Sequence, residues 1–243
     1  MNLIIDRGNS AVKIALFENN QLVENGQWET LPVEHLQDLF DKYPLKKGIL
    51  SSVGQIDKEV YAFLSGRLPV FYELNNRLPV PLTIDYRTPE TLGMDRIAAA
   101  VGAFVQQPNE NLLIIDIGTA ITFDLVAKGG IYSGGNISPG PALRFKALHQ
   151  FTNRLPLIAE EGEIPAMGYD TETAIRAGVI QGIVREIDSY IKEYQKNQTV
   201  FAFLTGGYAF YFESKLKNSI FADENLVLKG LNEILNYQVK IKE

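Results

Sequence analysis

The sequence contains no cysteine and only two histidines, His35 and His149. The first absence removes disulfides, iron–sulfur clusters, thiolate zinc sites and thiol nucleophiles. The second leaves too few imidazoles for a His-based metal centre. Positive charge is also in short supply: 23 basic against 29 acidic side chains give a net charge of −6. Neutralising a nucleic-acid backbone needs a dense basic surface, so no nucleic acid is expected as the main partner. Phosphorylated ligands must then be held by backbone N–H groups, single Lys or Arg residues and metal ions. No apolar run approaches the roughly 20 residues of a membrane span, and no membrane partner is expected. The chain opens directly on the strand-like run Asn2-Leu3-Ile4-Ile5-Asp6 with no basic segment before an apolar stretch; a cytoplasmic location is expected. Finally, there is no Gly-x-x-x-x-Gly-Lys-Ser/Thr, and no Gly-x-Gly-x-x-Gly after the first strand, so P-loop and dinucleotide-binding readings lose support.

What is present begins with a repeat. Leu3-Ile4-Ile5-Asp6-Arg7-Gly8-Asn9-Ser10 is echoed by Leu113-Ile114-Ile115-Asp116-Ile117-Gly118-Thr119-Ala120, the two acids lying 110 positions apart. Each run is a short apolar strand ending in Asp-x-Gly. A second strand follows (Val12 to Phe17; Ile121 to Ala127), then a third after Asn19-Asn20 or Lys128-Gly129-Gly130. Two meanders with one opening suggest a duplicated architecture. Beyond the first, Pro32 to Tyr43 reads as a helix, Gly48 to Val53 as a strand, Asp57 to Gly66 as a helix and Pro69 to Glu73 as a strand. In the second half a long helix starts near Asp170 and Thr171, with Ile180, Ile183, Ile187, Ile191 and Tyr194 on one face. Val200 to Thr205 reads as a strand and Leu226 to Tyr237 as a closing helix. The fold class expected is α/β, with mixed sheets in two related lobes, residues 1–110 and 111–243, and a cleft between them.

The Asp-x-Gly turns carry the chemistry. Gly8 and Gly118 let the backbone turn tightly and approach a ligand, and Asn9, Ser10 and Thr119 add small hydrogen-bonding groups there. Lys13, on the strand returning from the first turn, can reach back as a point charge toward a polyphosphate. Asp6 and Asp116 would repel bare phosphates by several kcal/mol per pair at about 4 Å in a low-dielectric cleft. Cations must therefore sit between acid and phosphate, usually Mg²⁺ held through waters. Taken singly, each turn is equally well plain turn chemistry; the matched pair is not.

With these residues in place, the chain resembles the type III pantothenate kinases. Asp6-Arg7-Gly8-Asn9-Ser10-Ala11-Val12-Lys13 looks like that family's phosphate motif Asp-x-Gly-Asn-Ser/Thr-x-x-Lys, and Gly93-Met94-Asp95-Arg96 like its Gly-x-Asp-Arg pantothenate motif. Asp116 to Asp124 matches its second acidic motif. Gly134-Gly135-Asn136-Ile137-Ser138-Pro139-Gly140, continuing to Thr152 and Leu155-Pro156, resembles its Gly-Gly-x-Ile-x-Pro-Gly segment, and Thr205-Gly206-Gly207 its adenosine loop. The motifs run in the expected order from residue 6 to residue 207. The resemblance implies duplicated ribonuclease H-like (actin-like) domains, MgATP as phosphoryl donor and pantothenate as acceptor. The product would be 4′-phosphopantothenate, made in the first step of coenzyme A biosynthesis. It also implies a homodimer with the pantothenate pocket near the interface, and a monovalent cation, K⁺ or NH₄⁺.

Residue roles follow from that match. Asp95 is expected to be the general base, since a carboxylate can orient the acceptor hydroxyl and take its proton. Arg96 would supply charge to the phosphoryl group or hydrogen bonds to pantothenate. Asp95 would equally suit the first turn of a helix running through Ile97, Ala98, Val101 and Phe104. The stretch Asp6, Arg7, Gly8, Asn9, Ser10, Ala11, Val12 and Lys13, with Thr119, Gly206 and Gly207, is assigned to ATP, and Asp6 also to Mg²⁺ through water. Asp116 is assigned to the monovalent cation, and Tyr86, Gly93, Met94, Asp95, Arg96 and Thr171 to pantothenate. Thr171 could instead be a helix cap, Tyr86 a packed aromatic with a solvated hydroxyl, and Gly206-Gly207 a plain strand-to-helix turn. His149 and Trp28 read as structural, and Lys240, Lys242 and Glu243 as a solvated tail. Two rivals remain: a kinase of the same fold acting on another small hydroxyl substrate, and a non-catalytic nucleotide-binding regulatory homologue.

Overall fold

A computed structural model describes residues 1–54, 56–196 and 198–242; Glu243, read as part of the tail, lies outside them, and Lys240 and Lys242 are exposed. In chain order the elements are β1 (Asn2–Arg7), β2 (Val12–Glu18), β3 (Gln21–Trp28), α1 (Val33–Lys42), β4 (Lys47–Ser52), α2 (Lys58–Arg67), β5 (Val70–Glu73), β6 (Thr83–Ile84), a 3-10 turn (Pro89–Thr91), α3 (Met94–Gln106), β7 (Asn111–Ile117), β8 (Ala120–Ala127), β9 (Ile131–Pro139), α4 (Pro141–Gln150), α5 (Thr171–Gln195), β10 (Val200–Thr205), α6 (Ala209–Glu213), β11 (Phe221–Ala222) and α7 (Leu226–Lys240).

The first sheet has the order β3-β2-β1-β4-β5. β1 is antiparallel to β2 and parallel to β4. Asn19 and Asn20 take positive φ (48° and 65°) in the two-residue β2–β3 turn, a conformation Asn tolerates and one that matches the strands' twist. Side chains alternate across the sheet. Leu3, Ile5, Val12, Ile14, Leu16 and Leu50 meet Leu36, Leu39, Val60 and Leu64 of α1 and α2. Full burial of each such side chain contributes about 1.5–3 kcal/mol. The alternation places Asp6 on the opposite face.

α3 and α7 pack on each other through small residues. A Cβ on Gly102 would come within 2.3 Å of Leu226 O, and one on Gly230 within 1.8 Å of Ala98 O. Only glycine at both positions allows so close a backbone approach. α7 is further tied to the meander by asparagines: Asn2 Nδ2 donates to Asn232 Oδ1 (2.8 Å) and Asn236 Nδ2 to Asn20 Oδ1 (2.8 Å). One compact unit thus comprises Met1–Asn109, Val126–Gly134 and the closing segment from Asn225, and a second comprises Glu110–Leu125 and Gly135–Glu224.

The second sheet has the order β11-β10-β7-β8-β9-β6. Its first five members, read backwards, repeat the order of the first sheet position by position, with β7 in the place of β1 and β10 in the place of β4. β10 runs parallel to β7. Leu113, Ile115, Ile117, Ala202 and Leu204 pack with Ile175, Val179, Ile180, Ile183, Ile187 and Ile191 of α5, so the three-and-four spacing seen in the sequence is the buried stripe of a 25-residue helix. Asp116 again lies on the other face.

Candidate active site

In the first unit, strand pairing sets the surroundings of Asp6. It stands near the end of β1, in register with Lys13 of β2 and with Ser51 of β4. Its Oδ1 is buried and makes no hydrogen bond among the described residues. Its proton affinity is pushed up to about 6, first by burial and then by the nearby charge of Asp95, with Lys13 and the Ser51 hydroxyl pulling the other way. The Ser51 hydroxyl acts at short range here without meeting the geometry of a hydrogen bond, since its Oγ is also buried and unpartnered.

Asp95 lies in the first turn of α3, after Gly93 at the N-cap. Its Oδ1 accepts from Arg96 N–H (2.9 Å) and folds back over Gly93, where an added Cβ would meet that oxygen at 2.5 Å. The carboxylate thus serves the opening turn of α3, where an acid is favoured by the helix dipole. Arg96 is buried at 6 % exposure and Met94 is partly buried. Two motifs far apart in sequence, around Asp6 and around Asp95, are thus brought together within one unit. Arg7, Gly8, Asn9 and Ser10 are exposed at the turn, and Gly8 N–H donates to Ala11 O (2.9 Å). Gly8 does not adopt positive φ; a Cβ there would meet only Ala11 O, at 3.5 Å. Its contribution is open space over the turn rather than an unusual conformation. Val12 is in the core at 4 % exposure, so only its backbone can serve a ligand. Tyr86 seats its ring against Gly134, where a Cβ would lie 2.9 Å from the ring, and near Tyr132 at 6.3 Å between centroids. Gly134 has φ +92°, which explains a glycine there.

In the second unit Asp116 holds the matching place on β7, in register with Thr205 of β10. Thr205 is fully buried, and its Oγ1 has no partner among the described residues. Gly206 follows with φ +91°; a Cβ there would fall 2.4 Å from Asp116 Oδ1. Gly140 N–H donates to Thr119 O (3.0 Å), and a Cβ on Gly140 would meet Gly118 O at 2.2 Å. Glycines thus let three backbone segments close around the acid. Thr119 and Gly207 are exposed, with nothing within 4 Å of a Cβ built on Gly207. Thr171 is exposed at the first position of α5 and is not its cap. Asp170 is the cap, accepting from Thr173 N–H (2.8 Å), while Thr173 Oγ1 accepts from Asp170 N–H (3.2 Å). The reciprocal pair fills the cap position, with Thr171 one residue inside the helix. His149 Nδ1 contacts Leu155 O (2.9 Å), and Trp28 packs against His35 with ring centroids 4.4 Å apart, both structural placements.

Ser51 was not singled out by the sequence, and Thr205 only as the opening of the adenosine-loop match, not as a neighbour of Asp116. A serine in Leu50-Ser51-Ser52 and a threonine before Gly-Gly carry no signal until the parallel register sets each beside an acid.

The sequence profile of type III pantothenate kinases matches residues 2–193. A type III pantothenate kinase of Azobacteroides pseudotrichonymphae is 55 % identical over 240 residues, covering 99 % of this chain and 98 % of that one. The chain belongs to the type III pantothenate kinase family. Two solved structures are similar in fold. A Campylobacter jejuni protein described as a Baf family transcriptional activator is 22 % identical, with a TM-score of 0.62 over 98 % of this chain and 99 % of that one. The Listeria monocytogenes protein Lmo2764, described as an N-acetylmannosamine kinase, is 13 % identical, with a TM-score of 0.54 over 100 % and 99 %. At such identities the likeness concerns architecture, and that architecture is the duplicated, actin-like α/β fold that the resemblance implies.

Proposed function

We propose that this pantothenate kinase transfers the γ-phosphoryl group of ATP to pantothenate, giving 4′-phosphopantothenate for coenzyme A biosynthesis, with Asp95 as the general base. What supports the residue assignment is that Asp95, in the first turn of α3, lies near enough to Asp6 for its charge to raise the proton affinity of that carboxyl. In phosphoryl transfer the protein's task is alignment and charge stabilisation. Asp95 orients the acceptor hydroxyl and takes its proton. Lys13 and Arg96 supply positive charge, and the exposed turn Gly8-Asn9-Ser10 offers backbone and side-chain donors to the phosphates. Tyr86, Gly93, Met94 and Thr171 are assigned to pantothenate, and Thr119, Gly206 and Gly207 to the nucleotide.

No cluster of three or more His, Asp or Glu side chains suited to a metal occurs among the described residues. Mg²⁺ that accompanies ATP is commonly held through one or two carboxylates and waters, with the phosphates as remaining ligands. Asp6 fits such an ion: its Oδ1 is buried without a partner among the described residues, and its carboxylate has a second oxygen to offer. When bound, the ion neutralises phosphate charge. The Asp116 carboxylate with the buried Thr205 Oγ1 in register beside it offers oxygen atoms that fit a monovalent cation, K⁺ or NH₄⁺. A homodimer with the pantothenate pocket near its interface, and a cytoplasmic location, belong to the same proposal; among the described residues no helix is long and apolar enough to cross a membrane.

ATP consumption by the purified protein, with and without pantothenate, in K⁺ and in Na⁺ buffer, tests the reaction and the cation together. Asp95→Asn should lower kcat by roughly 10²–10⁴ with ATP binding largely kept. Unchanged turnover removes Asp95 from the chemistry.

A further inference from the structure

A buried hydroxyl without a partner is uncommon in a folded protein, and each instance calls for a reason. Here two occur at matching places. Ser51, 1 % exposed, lies near the end of a strand parallel to that of Asp6 and is in register with it; Thr205, fully buried, stands beside Asp116 in the same register. Registered residues of neighbouring strands project on the same side of a sheet. Neither Ser51 Oγ nor Thr205 Oγ1 has a hydrogen-bond partner among the described residues, and Asp6 Oδ1 is buried without one as well. An apolar side chain would occupy either position without the cost of a desolvated hydroxyl. Recurrence of the arrangement in both sheets, each time next to an acid assigned to a cation, points to a common use.

We propose that Ser51 is the positioning residue of Asp6: its hydroxyl donates to Oδ1 and holds that oxygen inward, so that the second carboxylate oxygen faces the hydrated divalent cation that accompanies ATP. The inference rests on the assignment of Asp6 to that cation. The parallel register sets the Ser51 hydroxyl beside the Asp6 carboxylate, and both Oγ and Oδ1 are buried with no other partner among the described residues.

The test is a Mg²⁺ titration of the thermal stabilisation given by ATP, with ATP plus EDTA as the metal-free control, on the wild type, Ser51→Ala, Ser51→Thr and Asp6→Asn. Ser51→Ala should melt within about 2–4 °C of the wild type without ligand. It should need about tenfold more Mg²⁺ for half of the ATP-induced rise in Tm, the size of one hydrogen bond to a charged group. Its response to ATP in EDTA should be unchanged. Ser51→Thr, which keeps the hydroxyl, should return to within about threefold of the wild type, and a merely structural role predicts no such rescue. An unchanged Mg²⁺ titration in Ser51→Ala, or equal displacement in Ser51→Ala and Ser51→Thr, overturns the proposal. If Asp6→Asn also titrates like the wild type, the assignment of Asp6 to the cation is the part that fails. If Asp6→Asn loses the Mg²⁺ response while Ser51→Ala keeps it, the role of Ser51 alone fails.

Discussion

Asp6→Asn should stabilise the unliganded protein at neutral pH while removing its response to Mg²⁺. Burial and the neighbouring Asp95 raise the Asp6 carboxyl from 3.8 to about 6 in the folded chain. A tenfold change in proton affinity corresponds to about 1.4 kcal/mol, so the ionised carboxylate costs the fold about 3 kcal/mol. The sign follows from linkage. Between the two values the folded state binds more protons than the unfolded one, so stability is present in full below pH 3.8 and is lost as pH rises through 6. Asparagine cannot ionise and escapes this loss. Other carboxylates titrate in the same range, so the informative quantity is the stability of Asp6→Asn minus that of the wild type, measured by urea unfolding of metal-free, nucleotide-free protein. Packing differences enter as a constant. The difference should grow by about 2–3 kcal/mol between pH 4 and pH 7.5. A difference that stays flat within about 0.5 kcal/mol, or shrinks with pH, refutes the account of Asp6 as a carboxylate held against its own solvation.

Three further outcomes follow from the same geometry. Gly206→Ala places a Cβ 2.4 Å from Asp116 Oδ1 at a φ of +91°; it should cost about 2–4 kcal/mol in denaturant unfolding and abolish the difference between K⁺ and Na⁺ in the ATPase assay. Gly230→Ala forces α7 away from Ala98 O, which a Cβ would approach to 1.8 Å; a loss of about 3 kcal/mol is expected, and a Tm equal to wild type would contradict the helix contact. Asp170→Ala removes the acceptor of the Thr173 N–H at the start of α5 and should lower stability by about 1 kcal/mol in urea unfolding, a loss that Asp170→Ser should largely recover.

The elements themselves were legible because their signals are local. The expected helix over Pro32 to Tyr43 is α1 at Val33–Lys42, and the expected strand over Val200 to Thr205 is β10. The isoleucines at spacings of three and four are buried in α5. The closing helix runs on from Tyr237 to Lys240, because no Gly or Pro follows Tyr237 to stop it. Thr171 looked like a cap, yet Asp170 and Thr173 form the reciprocal pair; a capping box can be told from its neighbours only when the backbone direction is known.

By itself, the order of residues determined the two Asp-x-Gly turns and the helix at Asp95, each a pattern within a few residues, and also the repeat and the family, which rest on such patterns recurring in order along the chain. Tertiary structure alone decided that Ser51 and Thr205 stand beside Asp6 and Asp116, that Asp95 raises the proton affinity of Asp6, and that α7 packs on α3 through Gly102 and Gly230. Strand register and helix approach are set by contacts between residues tens to hundreds of positions apart, and no local pattern of side chains encodes them.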